Sequence, residues 1–79
     1  MKETRIYVIT DNERIICAAT TRQEAFNRIC DYVKTKYKLN EQYAETVITK
    51  IKRRYEYGGD HTFGADTIYA KQTILYEED

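Results

Sequence analysis

The segment Arg5-Ile6-Tyr7-Val8-Ile9-Thr10-Asp11-Asn12-Glu13-Arg14-Ile15-Ile16-Cys17-Ala18-Ala19-Thr20 decides the reading of the fold. Two runs rich in β-branched and aromatic residues flank three polar ones, the pattern of two strands joined by a tight turn. Asp and Asn tolerate the left-handed backbone of such turns. With Asp11-Asn12 as a two-residue loop, Val8 faces Ile15 and Ile6 faces Cys17, on one sheet face with Ala19. Tyr7 and Ile16 meet on the other. Both faces are then apolar: one packs on helices, and the other is left for the chain itself or a partner to cover.

Downstream of this hairpin the period changes from two to 3.6. Thr21-Arg22-Gln23-Glu24 has the form of a capping box, with Thr21 at the N-cap and Glu24 reaching back. Ala25, Phe26, Ile29, Cys30, Val33 and Tyr37 then share a helical face. Asn40 starts a second helix with Glu41 and Glu45 near its positive end and a stripe of Ala44, Val47, Ile48, Ile51 and Tyr55. Gly58-Gly59 ends it, the first glycine being able to take the left-handed conformation beyond a helix terminus. Residues 60–66 read as a loop in which Thr62-Phe63 can add a short extra strand. Residues 67–76 read as one long strand whose outer edge, through Tyr69 and Leu75, could pair with a second copy. The expected fold is α+β, ordered β-β-α-α-β: a three-stranded antiparallel sheet with two helices on one face, a single domain over residues 1–79.

Composition narrows the function classes. The chain has 79 residues, 42% hydrophobic and 33% charged, a globular balance in which little interior is left for a substrate cavity. No apolar run is long enough to span a bilayer. Met1-Lys2-Glu3-Thr4-Arg5 leads straight into strand-like sequence without the apolar stretch and cleavage site of a signal peptide, so a cytoplasmic protein is expected. The two cysteines, Cys17 and Cys30, sit in apolar stretches and read as reduced core thiols.

No catalytic site is legible. The single histidine, His61, neighbours Asp60, but a Cys–His pair would need a cysteine off its core face, and no glycine motif builds an oxyanion hole. Cys17, Cys30 and His61 lack the paired spacing of zinc ligands, and Gly58-Gly59 with Gly64 is not a phosphate loop. The expectation is a non-enzymatic protein with no metal, no cofactor and no small-molecule substrate.

Charge is more informative. The formal net charge is zero, yet residues 1–55 carry +5 and residues 56–79 carry −5. Eight tyrosines supply apolar faces with polar tips, suited to protein interfaces. The acidic third interleaves aromatics with carboxylates, and the expected partner-binding surface is Tyr57, Asp60, His61, Phe63 and Asp66, assisted by Glu77, Glu78 and Asp79. Aromatics anchor such a surface and charges steer its encounter with a partner. Lys50, Lys52, Arg53 and Arg54 form the opposite pole. As cations at a helix C-terminus they complement the macrodipole, and Lys52, Arg53 and Arg54 do not all share one face, so the structural reading is favoured. Gripping nucleic-acid phosphates is the alternative use.

The short hairpin around Asp11-Asn12, the capped helix beginning Thr21-Arg22-Gln23-Glu24-Ala25 and the tyrosine-rich acidic end together resemble small accessory proteins of bacteriophages and mobile elements, most of all the anti-CRISPR type of inhibitor. The resemblance implies a short, non-enzymatic protein in a bacterial host cell. It implies a host protein or ribonucleoprotein as partner, in a nucleic-acid-handling complex such as a CRISPR effector. The near-neutral charge departs from strongly acidic DNA mimics. Two other classes stand beside this expectation: a nucleic-acid-binding module using Lys50, Lys52, Arg53 and Arg54, and a self-associating structural domain, with a second copy as partner and no membrane.

Overall fold

The computed structural model describes residues 2–58 and 61–78. The elements run β1 (Lys2–Asp11), β2 (Arg14–Ala19), α1 (Arg22–Lys36), α2 (Glu41–Tyr57), β3 (Thr62–Ala65) and β4 (Ile68–Glu77). The α+β class and the two helices agree with the sequence reading. The sheet has four antiparallel strands in the order β2-β1-β4-β3 rather than three. The extra strand is β3, built on Thr62-Phe63 and extended by Gly64-Ala65. Because β3 pairs with β4, the last strand is central over Ile68–Lys71, where an edge had been expected.

The hairpin turn lies one residue later than the sequence suggests. Asn12 and Glu13 have φ of 52° and 70°, the paired positive values of a type I′ turn, and Asp11 pairs with Arg14. A β-bulge follows: Ile9 pairs with Cys17 but Thr10 pairs with Ile15, so Ile16 is the extra residue. The bulge switches the alternation of β2 partway along. Cys17 and Ala19 therefore turn toward the helices with Ile9 while Ile15 is left exposed on the opposite face. The expected pairs Val8–Ile15 and Ile6–Cys17 do not form.

Both helices start at the expected caps, but the capping box closes in one direction only: the Glu24 carboxylate accepts from the Arg28 guanidinium at 2.7 and 3.0 Å instead of reaching back to Thr21. The Thr21 Oγ1 accepts the Glu24 amide at 3.1 Å, and the Asn40 Oδ1 accepts the Tyr43 amide at 3.1 Å. Ala25, Ile29, Cys30 and Val33 of α1 and Ala44, Val47 and Ile51 of α2 are buried, as the stripes require. They pack with Ile9, Phe63, Ile68 and Ala70 of the sheet. Gly58 ends α2 in right-handed geometry, φ −73°, with its N–H donated to the Arg54 carbonyl; the left-handed cap expected there is not used.

Phe63 organises the middle of this core. Its ring lies 5.4 Å from Tyr55 edge-on, 6.4 Å from Tyr7 and 6.5 Å from Phe26. The Arg22 guanidinium covers Tyr55 at 4.6 Å and donates to the Tyr55 carbonyl at 2.8 Å, joining the start of α1 to the end of α2.

The helices and the short strands cover only part of the β1–β4 pair. All ten residues of β1 pair with β4, from Lys2–Glu77 to Asp11–Ile68. On the outer side, β2 reaches only to Tyr7 and β3 only to Lys71. Residues 2–6 and 73–77 therefore project as a two-stranded ribbon, and the molecule measures 47 × 24 × 18 Å.

Candidate functional site

The residues expected to bind a partner do not form one surface. Phe63 is fully buried and belongs to the core, because the short strand β3 turns its side chain under α2. Asp66 stands in the β3–β4 turn, in left-handed geometry (φ 57°), and accepts the Tyr43 hydroxyl at 2.6 Å. That bond raises the Tyr43 pKa above its ordinary value. Glu77 and Glu78 lie at the far end of β4, a ten-residue strand and so roughly 30 Å from Asp66. The intervening strand, which sequence proximity conceals, separates the two acidic groups. Tyr57 is 80% exposed on the last turn of α2. His61 is exposed, and its carbonyl accepts the Gln72 amide at 2.8 Å where the ribbon leaves the body. Asp60 and Asp79 lie outside the described residues.

The ribbon is the first surface the geometry itself singles out. Ile74 and Tyr76 share the helix-side face of β4 with buried Ile68 and Ala70, but the helices stop short of them, leaving 42% and 58% of their surfaces exposed. Leu75, on the other face, is also exposed, and pairs with Thr4 of β1. Arg5, His61, Ile74 and Tyr76 line a shallow depression at the root. Each outer edge of the ribbon presents backbone donors and acceptors with no strand beside them among the described residues. The period-two pattern of residues 67–76 announced the strand. Nothing local announced that half of it would outrun the helices, since that depends on where β2 and β3 end.

A second surface gathers three of the four basic residues. Lys50, Arg53, Arg54 and Tyr57 follow the i, i+3, i+4, i+7 spacing of one helix flank. The three cations line a groove with Asp66 and Tyr69, between α2 and the β3–β4 turn. Lys52 faces away from it. The reading that the cluster shares no face holds for 52, 53 and 54 but misses 50, 53 and 54.

A third cluster was missed altogether. Asp11, expected in the turn, is 6% exposed, and its carboxylate is the hub of three side-chain bonds. Tyr32 Oη donates at 2.6 Å, Lys36 Nζ at 2.7 Å and Thr67 Oγ1 at 2.7 Å. The Lys36 and Tyr32 bonds, against the cost of burial, hold the Asp11 pKa down at about 2. The Asn12 amide donates to the Thr67 carbonyl at 2.9 Å, so the cluster ties the first turn to the last one and both to α1. Both oxygens of this carboxylate accept internal hydrogen bonds, two at Oδ2 and one at Oδ1, which suits a latch better than a reactive group.

Cys30 is buried, and burial pushes its thiol pKa up. Among the described residues no three His, Cys, Asp or Glu side chains come together as metal ligands. Among the described residues no helix is long and apolar enough to cross a membrane. No protein-family model matches the chain, and no curated protein or solved structure matches it.

Proposed function

We propose that this protein is a non-enzymatic binding module whose β1–β4 ribbon docks an extended segment of a partner protein by strand addition. The carrying observation is the conjunction on one ribbon of open backbone edges and the exposed side chains Ile74, Leu75 and Tyr76. Backbone pairing supplies affinity in this mode of recognition, and the alternating side chains supply specificity. An inhibitor of a host nucleic-acid-handling complex fits this mode: a small rigid body would hold the ribbon in place while the aromatic and aliphatic side chains anchor it. The resemblance to phage accessory proteins is the support for that choice of partner.

The test is site-specific photocrosslinking in bacterial cells, with the reactive side chain placed at Tyr76 and, as control, at Leu39, which is 96% exposed and remote from the ribbon. A discrete heterologous adduct at 76, absent at 39 and lost on Ile74→Pro, supports the reading. Equal labelling at both positions, or indifference to the proline, refutes it.

One feature favours a second reading, self-association through β1. Antiparallel pairing of Lys2-Glu3-Thr4-Arg5-Ile6 with its own copy about Thr4 sets Glu3 opposite Arg5 of the other chain, twice by symmetry. Light scattering of the wild type, Arg5→Glu and Glu3→Arg/Arg5→Glu decides it. A dimer lost in the single variant and regained in the double selects the second copy as the occupant; monomers throughout exclude it.

A further inference from the structure

We propose that the flank of α2 bearing Lys50, Arg53, Arg54 and Tyr57 is a binding site for single-stranded nucleic acid, separate from the ribbon. Three observations converge on it. The three cations lie within two helical turns on one side, about the reach of successive backbone phosphates. Tyr57 continues the same flank with 80% of its surface exposed, a free π-face one turn beyond the cations. Tyr69, paired with Gly64 of the edge strand β3, borders the groove on its strand side. The negative group in the groove is Asp66, and its carboxylate is held toward Tyr43 at 2.6 Å, at the end of the groove away from Tyr57. A phosphate backbone would therefore track Lys50, Arg53 and Arg54 and place a base on Tyr57.

Single-stranded polymer is the ligand these groups favour. A duplex buries its base faces in its own stack and offers nothing to Tyr57, whereas every unpaired base has a face to stack. An acidic protein segment would satisfy the cations but leave Tyr57 without a role. Three cations in a chain of zero net charge make a weak site with a modest salt dependence.

The experiment is fluorescence anisotropy of labelled 20-nucleotide dT and U oligomers with the full chain between about 20 and 200 mM NaCl. The expected logarithmic salt slope is about −2, from three contacts to a single strand. Lys50→Gln/Arg53→Gln/Arg54→Gln should abolish binding while the circular dichroism spectrum is unchanged. Tyr57→Ala should weaken binding ~5-fold or more with the slope preserved, the loss of one stacked base. Ile74→Ser/Tyr76→Ser should leave it unaltered, which separates this site from the ribbon. Competition by poly-glutamate as effective as by unlabelled oligomer would make the flank a site for acidic polymers and overturn the proposal. So would indifference to Tyr57→Ala, or no complex at 20 mM salt.

Discussion

Lys36 Nζ lies 2.7 Å from Asp11 Oδ2. This ion pair links the last turn of α1 to the end of β1, and the Asp11 side chain is 6% exposed while that of Lys36 is 32% exposed. With so little of its surface exposed, the carboxylate depends on Lys36, Tyr32 and Thr67. Removing its charge while keeping its shape leaves the ammonium and a tyrosine hydroxyl facing an amide. Asp11→Asn is expected to cost about 2–4 kcal/mol, within the range for breaking a partly buried, multiply bonded charge. Urea denaturation measures it; a loss under about 0.5 kcal/mol would mean the cluster is ornamental.

The same cluster sets a pH dependence. Asp11 has its pKa lowered from 3.8 to about 2, so the folded state favours its ionised form. Its contribution is complete above pH 4 and is lost as pH falls toward 2, because the unfolded chain takes up the proton first. The shift corresponds to about 2 kcal/mol. Lys36 is raised above 10.5 by the same bond, and its share is present below that value and lost only as pH rises past it. Wild-type stability minus that of Asp11→Asn should thus be flat from about pH 4 to 10 and shrink below pH 4. Urea midpoints for both proteins at pH 2.5, 4 and 7 test the sign.

Much of this fold was legible where a residue's role depends on near neighbours. Thr21 and Asn40 mark helix starts through bonds three residues long, and the stripes from Ala25 to Val33 and from Ala44 to Ile51 needed only the helical period. Asp11 failed for the opposite reason. Its partners are 21, 25 and 56 residues away, and an Asp beside Asn in a polar triplet looks like a turn residue. The turn moved by one position because Glu13 accepts a positive φ, and the bulge at Ile16 then reversed the faces of β2. The candidate surfaces divided likewise: Tyr57 and the basic flank follow from helix spacing, whereas the burial of Phe63 and the distance from Asp66 to Glu77 follow from β3 joining the sheet.

Glu13 itself supplies a stabilising substitution. At φ 70° a side chain is strained by about 1 kcal/mol, and glycine is not, although it loses more freedom on folding. Glu13→Gly completes an Asn-Gly type I′ pair. The expected net gain is a few tenths of a kcal/mol up to about 1, seen as a higher melting temperature. A decrease would show that the Glu13 side chain makes a contribution larger than the strain.

Gly64 is required by close approach, not by its backbone angles. A Cβ there would lie 2.2 Å from the Ile68 carbonyl oxygen and 2.7 Å from the Tyr69 Cα, both main-chain atoms of β4. Strand β4 is held on its other side by β1 and cannot yield, so β3 must move. Gly64→Ala is expected to lose at least about 2 kcal/mol, in the range for overpacking a core. Amide exchange should localise the loss: Gln72, whose N–H bonds the His61 carbonyl, should exchange faster while the β1–β2 hairpin is spared.

Phe63 and Tyr57 were both read from the sequence as partner contacts, and they now call for opposite outcomes. Phe63 touches Tyr7, Phe26 and Tyr55 and is fully buried, so Phe63→Ala opens a cavity between β3 and the two helices. The expected cost is about 3–5 kcal/mol, enough to unfold a domain of this size. Phe63→Leu, which refills most of the volume, should keep the chain folded at a lower melting temperature. Tyr57 is 80% exposed at the end of α2, and Tyr57→Ala should change stability by less than about 0.5 kcal/mol. Thermal melts of the three variants separate the roles. A folded, fully stable Phe63→Ala protein would return that side chain to the surface and with it the whole placement of β3.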